Sequence, residues 1–324
     1  MPLSLCACVR LLMGNPAHSL SLFMLPVFEE YQEFIPDFDS FLECHAKPLP
    51  NHFRVNRLKI APDSLIRMLQ SKGIWIGETR LGEESFCEAP GSLSIGKLIE
   101  YFLGYLHPQA FTSCLASLIL APRPNSYVLD LCAAPGGKTA HMAQGMNNTG
   151  LIIANELHQR RHAPLVHTLS RLGVMNAMVT QYPAQEFPMR ERFDFIMADV
   201  PCSGEGRWRP LGETHPKEGG RARARMVDLQ KRMILRAFDL LRIDGVLLYS
   251  TCTYSPEENE GVLDFLLRNR EAEILPIGDV PGVAPGVSEW KEEKYDGKVR
   301  KAGRFYPHRI DSVGFFVARI GRRS

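Results

Sequence analysis

Two cysteines lie just after short apolar runs, where a strand would open into a loop. The first is Cys202, in the stretch "ADVPCSGEG", which follows the run 193–198 and lies three residues after Asp199. The second is Cys252, which ends the run "GVLLYSTC". A thiolate is a strong nucleophile once its surroundings lower its pKa. The two thiols and Asp199 are therefore candidate catalytic groups, although a free cysteine is more often a small buried apolar residue.

The residues after Cys252 predict the start of a helix. Ser255 suits an N-cap, Pro256 suits the first helical position, and Glu258 completes the pattern of a capping box. Cys252 would then lie in a strand-to-helix loop. If the fourth and fifth strands of the sheet are neighbours, Cys202 and Cys252 face the same cleft.

A glycine-rich turn follows the first strand of this region, in "DLCAAPGGKTAHMA". Such a turn brings backbone N–H groups close to a ligand at the carboxyl edge of a sheet. It is not a P-loop, because position 132 would have to be glycine, and no G-x-G-x-x-G is present. The residues expected to contact a cofactor are Cys132, Ala133, Ala134, Pro135, Gly136, Gly137 and Lys138.

An acidic residue follows the turn at the spacing of a ribose contact. Glu156 lies 20 positions after Gly136 and ends the second strand, "IIANE". A carboxylate there can accept hydrogen bonds from both ribose hydroxyls. An acidic ribose contact without a pyrophosphate cradle indicates an adenosine cofactor without phosphates, for which S-adenosylmethionine is the obvious candidate. The alternative is a structural glycine turn with a surface glutamate.

Two thiols and a carboxylate beside a methyl donor suggest methylation of a carbon that is not nucleophilic by itself. Carbon 5 of a pyrimidine is such a carbon. A thiolate adds to carbon 6, carbon 5 attacks the donor methyl, a base removes the carbon-5 proton, and the thiolate leaves. An acid at ring N3 favours the addition.

The elements that would position these groups follow an alternating pattern. From residue 125 onward strands alternate with helices, which predicts an α/β fold with a Rossmann-like parallel sheet, assigned to residues 116–324. The expected strands are "YVLDLC", "GLIIAN", "NAMVT", "FDFIMAD" and "GVLLYSTC", with "VGFFVARI" as a final antiparallel strand. The mixed pattern of residues 26–115 predicts a small N-terminal α+β module.

The composition is that of a globular chain with reduced thiols. A formal net charge of +2 on 324 residues neither requires nor excludes a nucleic-acid partner. The eight cysteines form no C-x-x-C pair, so we expect no metal site, no disulfide framework and a cytoplasmic location. We also expect a monomer. No apolar span reaches the length of a membrane helix. Residues 1–25 predict a disordered or over-long start, with a weak targeting segment as the alternative.

Three motifs together resemble those of the Nol/Nop/Sun family of RNA cytosine-5 methyltransferases. They are "DLCAAPGGKT", "DVPCSGEG" and "YSTCTYSPEENE", in this order and spacing. "FRVNRLK" resembles the family's R-x-N segment, and "RFYPHRIDSVGFFVARI" resembles its C-terminal hairpin. The match extends over residues 26–320.

The resemblance implies a role for each candidate residue. Cys252 in the Thr-Cys motif would be the nucleophile, and Cys202 in the Pro-Cys motif would assist proton removal and product release. Asp199 would contact the N3 edge of the base and the cofactor, and Lys138 is a further catalytic candidate. The substrate would be cytosine in rRNA or tRNA, and residues 26–115 would be an RNA-binding module.

Two positions depart from the family's pattern. In "TQYPAQEF", Pro183 stands where the family usually has Asp-Ala, whose acid reaches the adenine amino group. Either Gln181 or Gln185 substitutes, or the contact is lost and cofactor affinity falls. In "QAFTSCL", Ala110 stands where the family usually has an acidic residue. The first departure keeps open a second function, an RNA-binding assembly factor with a weakened cofactor site.

Basic residues after the Pro-Cys loop predict an RNA surface. Eight Lys or Arg residues lie in the interval 217–242, including those of "GRARAR". Arg207, Trp208 and Arg209 follow the loop directly. Basic side chains there could bind phosphates, and Trp208 could stack on a base. The alternative for the basic run is a solvated helix face.

Overall fold

The N-terminal part of the chain forms a small antiparallel sheet with short helices. The computed structural model describes residues 28–188, 192–209 and 220–323, so the segment 1–25 lies outside the described residues. The elements are helix α1 (Phe38–His45), strand β1 (Asn51–Val55), helix α2 (Pro62–Ser71), strands β2 (Gly77–Leu81) and β3 (Glu84–Ala89), helix α3 (Ile99–Phe102) and strand β4 (Leu106–Pro108). The strands pair in the order β2-β3-β1-β4.

The rest of the described chain builds a larger sheet. Its first elements are α4 (Phe111–Leu120), β5 (Tyr127–Asp130), α5 (Gly137–Gly145), β6 (Leu151–Asn155), α6 (His162–Leu172), β7 (Ala177–Thr180), β8 (Phe193–Asp199), α7 (Arg221–Asp239), β9 (Leu241–Thr251) and α8 (Glu260–Asn269). The C-terminal elements are β10 (Ala272–Leu275), β11 (Val283–Pro285), β12 (Glu289–Trp290), β13 (Glu293–Lys294), β14 (Gly303–Phe305), α9 (Pro307–Ile310) and β15 (Phe315–Arg322). Short 3-10 turns lie at Glu29–Tyr31, Ile95–Lys97, Gln159–Arg161, Ala184–Glu186, Glu205–Arg207 and Gly297–Lys301.

The large sheet has the strand order β11-β14-β15-β9-β8-β5-β6-β7, and β10 pairs with β15. Strands β9, β8, β5, β6 and β7 are parallel, and β15 is antiparallel to β9. Strands β5, β6 and β8 are buried almost throughout, as expected for parallel strands covered on both faces. The predicted Rossmann-like α/β sheet with a final antiparallel strand is confirmed.

The two sheets have separate hydrophobic cores. Phe53, Leu65 and Leu106 help to fill the core of the small sheet. Phe28 and Phe41 precede that sheet in sequence, yet they pack in the core of the large one. Helix α4 spans the predicted boundary after residue 115 and packs against the large sheet. The division into domains at residue 115 stays a prediction.

The segment "FRVNRLK" attaches the small sheet to the large one. Arg54 is fully buried and donates a hydrogen bond to the side-chain oxygen of Gln144 at 2.7 Å. Asn56 donates from Nδ2 to the carbonyl oxygens of Gly104 and Leu172, both at 2.8 Å. Because Gln144 lies on α5, the helix that begins at the glycine turn, this segment holds the small sheet beside the predicted cofactor site.

A buried ion pair stabilises the loop that carries Cys252. Nε of Arg304 in β14 donates to Oε1 of Glu260 at 2.7 Å, and Nη1 donates to the carbonyl oxygen of Tyr254 at 2.9 Å. Both charged side chains are almost completely buried. Glu260 begins α8 and Tyr254 lies two residues after Cys252, so the pair joins the C-terminal hairpin to this loop.

Arg304→Met is expected to lower the free energy of unfolding by about 3–5 kcal/mol, because it leaves the Glu260 carboxylate buried and unpaired. Urea denaturation measures the change. Arg309→Met is the matched control, since that side chain is exposed and lies 3.7 Å from the carboxylate of Asp37. The control should lose at most about 1 kcal/mol. Equal losses in both variants would show that the buried pair has no special role.

Candidate active site

The loops after β8 and β9 bring the two candidate cysteines into contact. The strands pair in parallel, with Asp199 opposite Ser250 at their carboxyl ends. Cys202 and Cys252 follow these positions by three and two residues, and their sulfur atoms are 3.4 Å apart. The predicted neighbouring positions of the two strands and of the two thiols are confirmed.

The two thiols are not equivalent. The hydrogen bond from Cys202 lowers the pKa of the Cys252 thiol, against the opposing effect of burial. The same hydrogen bond, reinforced by burial, raises the pKa of the Cys202 thiol. Cys252 lines the cleft next to these loops, whereas Cys202 does not. The geometry therefore favours Cys252 as the thiolate and Cys202 as the neutral hydrogen-bond donor.

Lys138 and Asp199 form an ion pair beside the cysteines. Nζ of Lys138 donates to Oδ2 of Asp199 at 2.8 Å, and the Ser250 hydroxyl donates to Oδ1, also at 2.8 Å. Burial acts to lower the pKa of Lys138, but the Asp199 carboxylate outweighs it and the pKa is raised. Lys138 is therefore a cation at neutral pH and balances the charge of Asp199.

The glycine turn joins β5 to α5, as predicted. Gly136 has a φ of +104°, and a Cβ there would approach Cδ1 of Leu165 to 3.0 Å. A Cβ at Gly137 would lie 2.9 Å from Nε2 of His107. The positive φ therefore favours glycine at position 136, and a side chain at position 137 would have to displace the His107 ring.

A cleft of about 500 Å³ runs along the turn and reaches Cys252. Most of the residues predicted to contact a cofactor or the reacting base line it: Cys132, Ala133, Ala134, Pro135, Gly137, Lys138, Asp199 and Cys252. Gly136 and Glu156 are not lining residues. Asn51 and His52 of the small sheet and Phe315 of β15 also face the cleft. Its volume suits a small molecule.

Glu156 follows β6 directly and is buried. Its Oε1 accepts the backbone N–H of His158 at 2.8 Å, and its Oε2 lies 2.9 Å from Nη1 of Arg161. Arg161 also donates to the carbonyl oxygen of Ala134 at 2.6 Å and lines the cleft. A carboxylate has about four acceptor positions, so Glu156 keeps capacity for two further donors.

Among the cleft residues that the sequence analysis did not identify, two are charged, Asp130 and Arg161. Asp130 ends β5, is fully buried, and accepts a hydrogen bond from the Thr139 hydroxyl at 2.6 Å. Burial raises the pKa of Asp130 to about 7. The available signals were an acid at the end of the first strand and a basic residue five positions after Glu156.

The positions that depart from the family pattern lie close to the sheet edge. Pro183 precedes the 3-10 turn at Ala184–Glu186. Gln181 is exposed and donates to the carbonyl oxygen of Leu157 at 3.2 Å, and Gln185 is half-buried. An adenine contact by either glutamine stays a prediction. Ala110 lines the cleft.

The predicted stacking of Trp208 on a base is wrong. Trp208 is only 4% exposed, and its ring packs edge to face on Phe28 with centroids 5.6 Å apart. Arg209 is buried as well and donates to the carbonyl oxygen of Trp208 at 2.8 Å, so it cannot reach a phosphate. Phe28 packs on Trp208, and His45 of α1 lies 3.0 Å from Nη1 of Arg209. Arg207, by contrast, is exposed and lines the cleft.

The basic run on α7 is only partly open to solvent. Lys217 lies outside the described residues. Three arginines bind an acid or a carbonyl oxygen of the protein itself: Arg223, Arg236 and Arg242. Arg242 is exposed nevertheless, as are Arg221, Arg225 and Arg232, and Lys231 is half-buried. Phosphate binding by this run therefore stays a prediction for its exposed members.

Glu258 does not form the predicted capping box. Helix α8 begins only at Glu260, and the Glu258 backbone N–H donates to Oγ of Ser255 at 3.4 Å in the preceding turn. The Glu258 carboxylate instead accepts the backbone N–H of Ser203 at 3.0 Å and Nε2 of Gln230 at 2.9 Å. Since Ser203 follows Cys202, this carboxylate connects the two cysteine loops.

The six cysteines in the described ranges are free thiols. In those ranges no cluster of three or more His, Cys, Asp or Glu side chains could bind a metal ion. Across residues 28–188, 192–209 and 220–323, no helix combines the length and apolar character needed to cross a membrane.

Comparisons with known proteins agree on one group of relatives. The family model described as 16S rRNA methyltransferase RsmB/F matches residues 117–321. The tRNA (cytosine(49)-C(5))-methyltransferase of Pyrococcus abyssi is 36% identical over 302 residues, which cover 90% of this chain and 94% of that protein. A crystal structure of a methyltransferase homologue from Pyrococcus horikoshii has a TM-score of 0.82 at 30% identity, covering 95% of this chain and 99% of that chain.

A longer relative is also similar. The human 28S rRNA (cytosine(4447)-C(5))-methyltransferase is 35% identical over 292 residues, covering 88% of this chain. The match covers 36% of the human protein, so this chain corresponds to about a third of that relative's length. The similarity therefore concerns one part of the human protein.

Cys202→Ala is expected to shift the alkylation of Cys252 by iodoacetamide to higher pH. The thiolate is the reactive form, the hydrogen bond from Cys202 lowers the pKa of Cys252, and removing that bond raises the pKa again. Each pKa unit changes the thiolate fraction at neutral pH by roughly tenfold. Mass spectrometry of the Cys252 peptide across a pH series measures the shift. An unchanged pH midpoint would contradict the assignment of the hydrogen bond.

Proposed function

This chain belongs to the RsmB/F family of 16S rRNA methyltransferases, in agreement with the predicted Nol/Nop/Sun resemblance, and we propose that it methylates carbon 5 of cytosine in RNA with S-adenosylmethionine as donor. The observation that carries the proposal is the contact between the sulfur atoms of Cys202 and Cys252, beside the ion pair of Lys138 and Asp199. The names of the relatives support rRNA or tRNA as the substrate class.

The cofactor would lie along the glycine turn. Gly137 lines the cleft at the start of α5, and Glu156 retains acceptor positions for ribose hydroxyls. Arg161 would hold the Glu156 carboxylate in place, because it also bonds to the carbonyl oxygen of Ala134 in the turn. The bound cofactor supplies an electrophilic methyl group. These residues would hold it in the cleft that Cys252 also lines.

The two cysteines and the ion pair have different roles in the proposed reaction. Cys252 attacks carbon 6 of the base, since it lines the cleft and its pKa is lowered. Lys138 and Asp199 contact the N3 edge, where a proton or hydrogen bond draws charge away from the ring and favours addition. Once Cys252 is bonded to the base it no longer accepts the hydrogen bond from Cys202. A base from solvent takes the carbon-5 proton, the electrons of that bond restore the ring double bond, and Cys252 leaves as a thiolate. Cys202 assists this proton removal and release, because its thiol again donates a hydrogen bond to the departing sulfur.

The small sheet is proposed to share in RNA binding, because Asn51 and His52 line the same cleft. The exposed Arg207 at its mouth would contact a phosphate. An RNA-binding assembly factor with a weakened cofactor site is the second candidate, suggested by Pro183. It is not favoured, since the two thiols remain in contact. Transfer of a radiolabelled methyl group to RNA separates the two. The cytoplasmic location and the monomeric state stay predictions.

Cys202→Ala is expected to accumulate a protein–RNA complex that survives denaturing electrophoresis. Methyl transfer needs only the adduct and the donor, so it still occurs, but elimination of Cys252 becomes slow. Cys252→Ala should give neither adduct nor methylated RNA, and the double variant should trap nothing. A complex trapped by Cys252→Ala but not by Cys202→Ala would reverse the assignment of the two thiols.

Glu156→Ala is expected to weaken the binding of S-adenosylmethionine by about 1–3 kcal/mol, because the ribose hydroxyls lose their acceptor. Isothermal titration calorimetry on the protein without RNA measures this. Glu271→Ala, at an exposed position outside the cleft, is the control and should bind as the wild type does. Equal affinities of Glu156→Ala and the control would reject the ribose contact.

A further inference from the structure

Each catalytic cysteine is followed by a hydroxyl residue, and the two hydroxyls are bonded to each other. Ser203 follows Cys202 and Thr253 follows Cys252. Their side-chain oxygens are 2.6 Å apart. This contact runs parallel to the contact between the sulfur atoms, one residue further along both loops.

The direction of this hydrogen bond follows from its neighbours. The Thr253 hydroxyl donates to Oε2 of Glu205 at 2.8 Å. A hydroxyl has only one hydrogen, so Ser203 must be the donor in its bond to Thr253. The backbone N–H of Ser255 also donates to the Thr253 oxygen, at 3.2 Å. Thr253 thus relays a directed chain of hydrogen bonds from Ser203 to Glu205.

Glu205, the last acceptor in this series of hydrogen bonds, is itself held in place. It is buried, and its carboxylate accepts the Tyr31 hydroxyl at 3.0 Å and lies 2.9 Å from Nη2 of Arg223. It also accepts the backbone N–H of Tyr254 at 3.3 Å. Tyr31 belongs to the N-terminal segment and Arg223 to α7, so two other parts of the fold hold Glu205.

Ser203, at the other end of this series of hydrogen bonds, is held in place as well. The backbone N–H of Ser203 donates to Glu258, which is itself bonded to Gln230. The backbone N–H of Gly206 donates to the carbonyl oxygen of Cys252 at 2.9 Å, which is a further bond between the loops. Both backbone and side chain of Ser203 are therefore bonded to the loop that contains Cys252 and Glu258.

We propose that Thr253, bonded to Ser203 and Glu205, is a positioning residue that keeps the two cysteine sulfurs in contact. This inference rests on the proposed function, since it concerns how the same two thiols are held for the transfer reaction. The regular pairing of β8 and β9 ends at Asp199 and Ser250, before either cysteine. Hydrogen bonds weaken steeply with distance and angle, so a small separation of the loops would end the donation from Cys202.

The test compares Thr253→Val with Thr253→Ser. Valine matches threonine in shape but lacks the hydroxyl, whereas serine retains it. The readout is the pH dependence of Cys252 alkylation by iodoacetamide, followed by mass spectrometry in protein without RNA or cofactor. Asp199, Lys138 and Arg207 also face Cys252, and both substitutions leave them in place.

Thr253→Val should alkylate Cys252 roughly tenfold more slowly at neutral pH, a shift of about one pH unit, while Thr253→Ser should match the wild type. Ser203→Ala removes the partner hydroxyl and should shift the profile in the same direction, and it decides the question if Thr253→Val does not fold. Profiles in the hydroxyl-deleted variants that coincide with the wild type would overturn the proposal, as would an equal shift in Thr253→Ser.

This readout requires neither RNA nor methyl transfer. A shifted alkylation profile together with a wild-type protein that methylates no RNA would reject the proposed function and retain the positioning role. Wild-type protein that methylates RNA, together with unshifted alkylation profiles in the hydroxyl-deleted variants, would retain the proposed function and reject the positioning role.

Discussion

The whole candidate site depends on the parallel pairing of β8 with β9. This pairing places Asp199 opposite Ser250 and leads both chains into loops at the same edge of the sheet. Two thiols that are 50 residues apart in sequence are thereby brought to 3.4 Å. At that distance one sulfur can donate a hydrogen bond to the other, so the two cysteines acquire opposite shifts in pKa and different roles.

Buried carboxylates maintain this arrangement. Glu205 and Glu258 connect the two cysteine loops with each other, and Glu260 connects the loop of Cys252 with the C-terminal hairpin through Arg304. A buried carboxylate is costly unless it accepts hydrogen bonds, so the donors around each of these acids are held in place. The site is consequently held by the N-terminal segment, α7 and the hairpin together, and not by the sheet alone.

Features that depend on local pattern were predictable from the sequence. The alternation of strands and helices predicted the sheet, and the ends of its strands located Cys202, Cys252 and Glu156. The environment of Trp208 was not predictable, because its partner Phe28 is 180 positions away and local polarity suggested an exposed loop. The capping box predicted for Glu258 is absent for a similar reason, because its carboxylate accepts a hydrogen bond from Ser203 in the other cysteine loop and not from the local helix terminus.

The most direct test of the central claim is to identify which sulfur bonds to the base. RNA transcripts of small-subunit rRNA and tRNA that contain 5-fluorocytidine cannot lose a proton from carbon 5 after methyl transfer, so the enzyme should remain attached to them. Digestion and mass spectrometry then identify the cross-linked peptide. The account predicts a nucleotide adduct that carries the transferred methyl group on the peptide containing Cys252. The same adduct on the peptide containing Cys202 would contradict it.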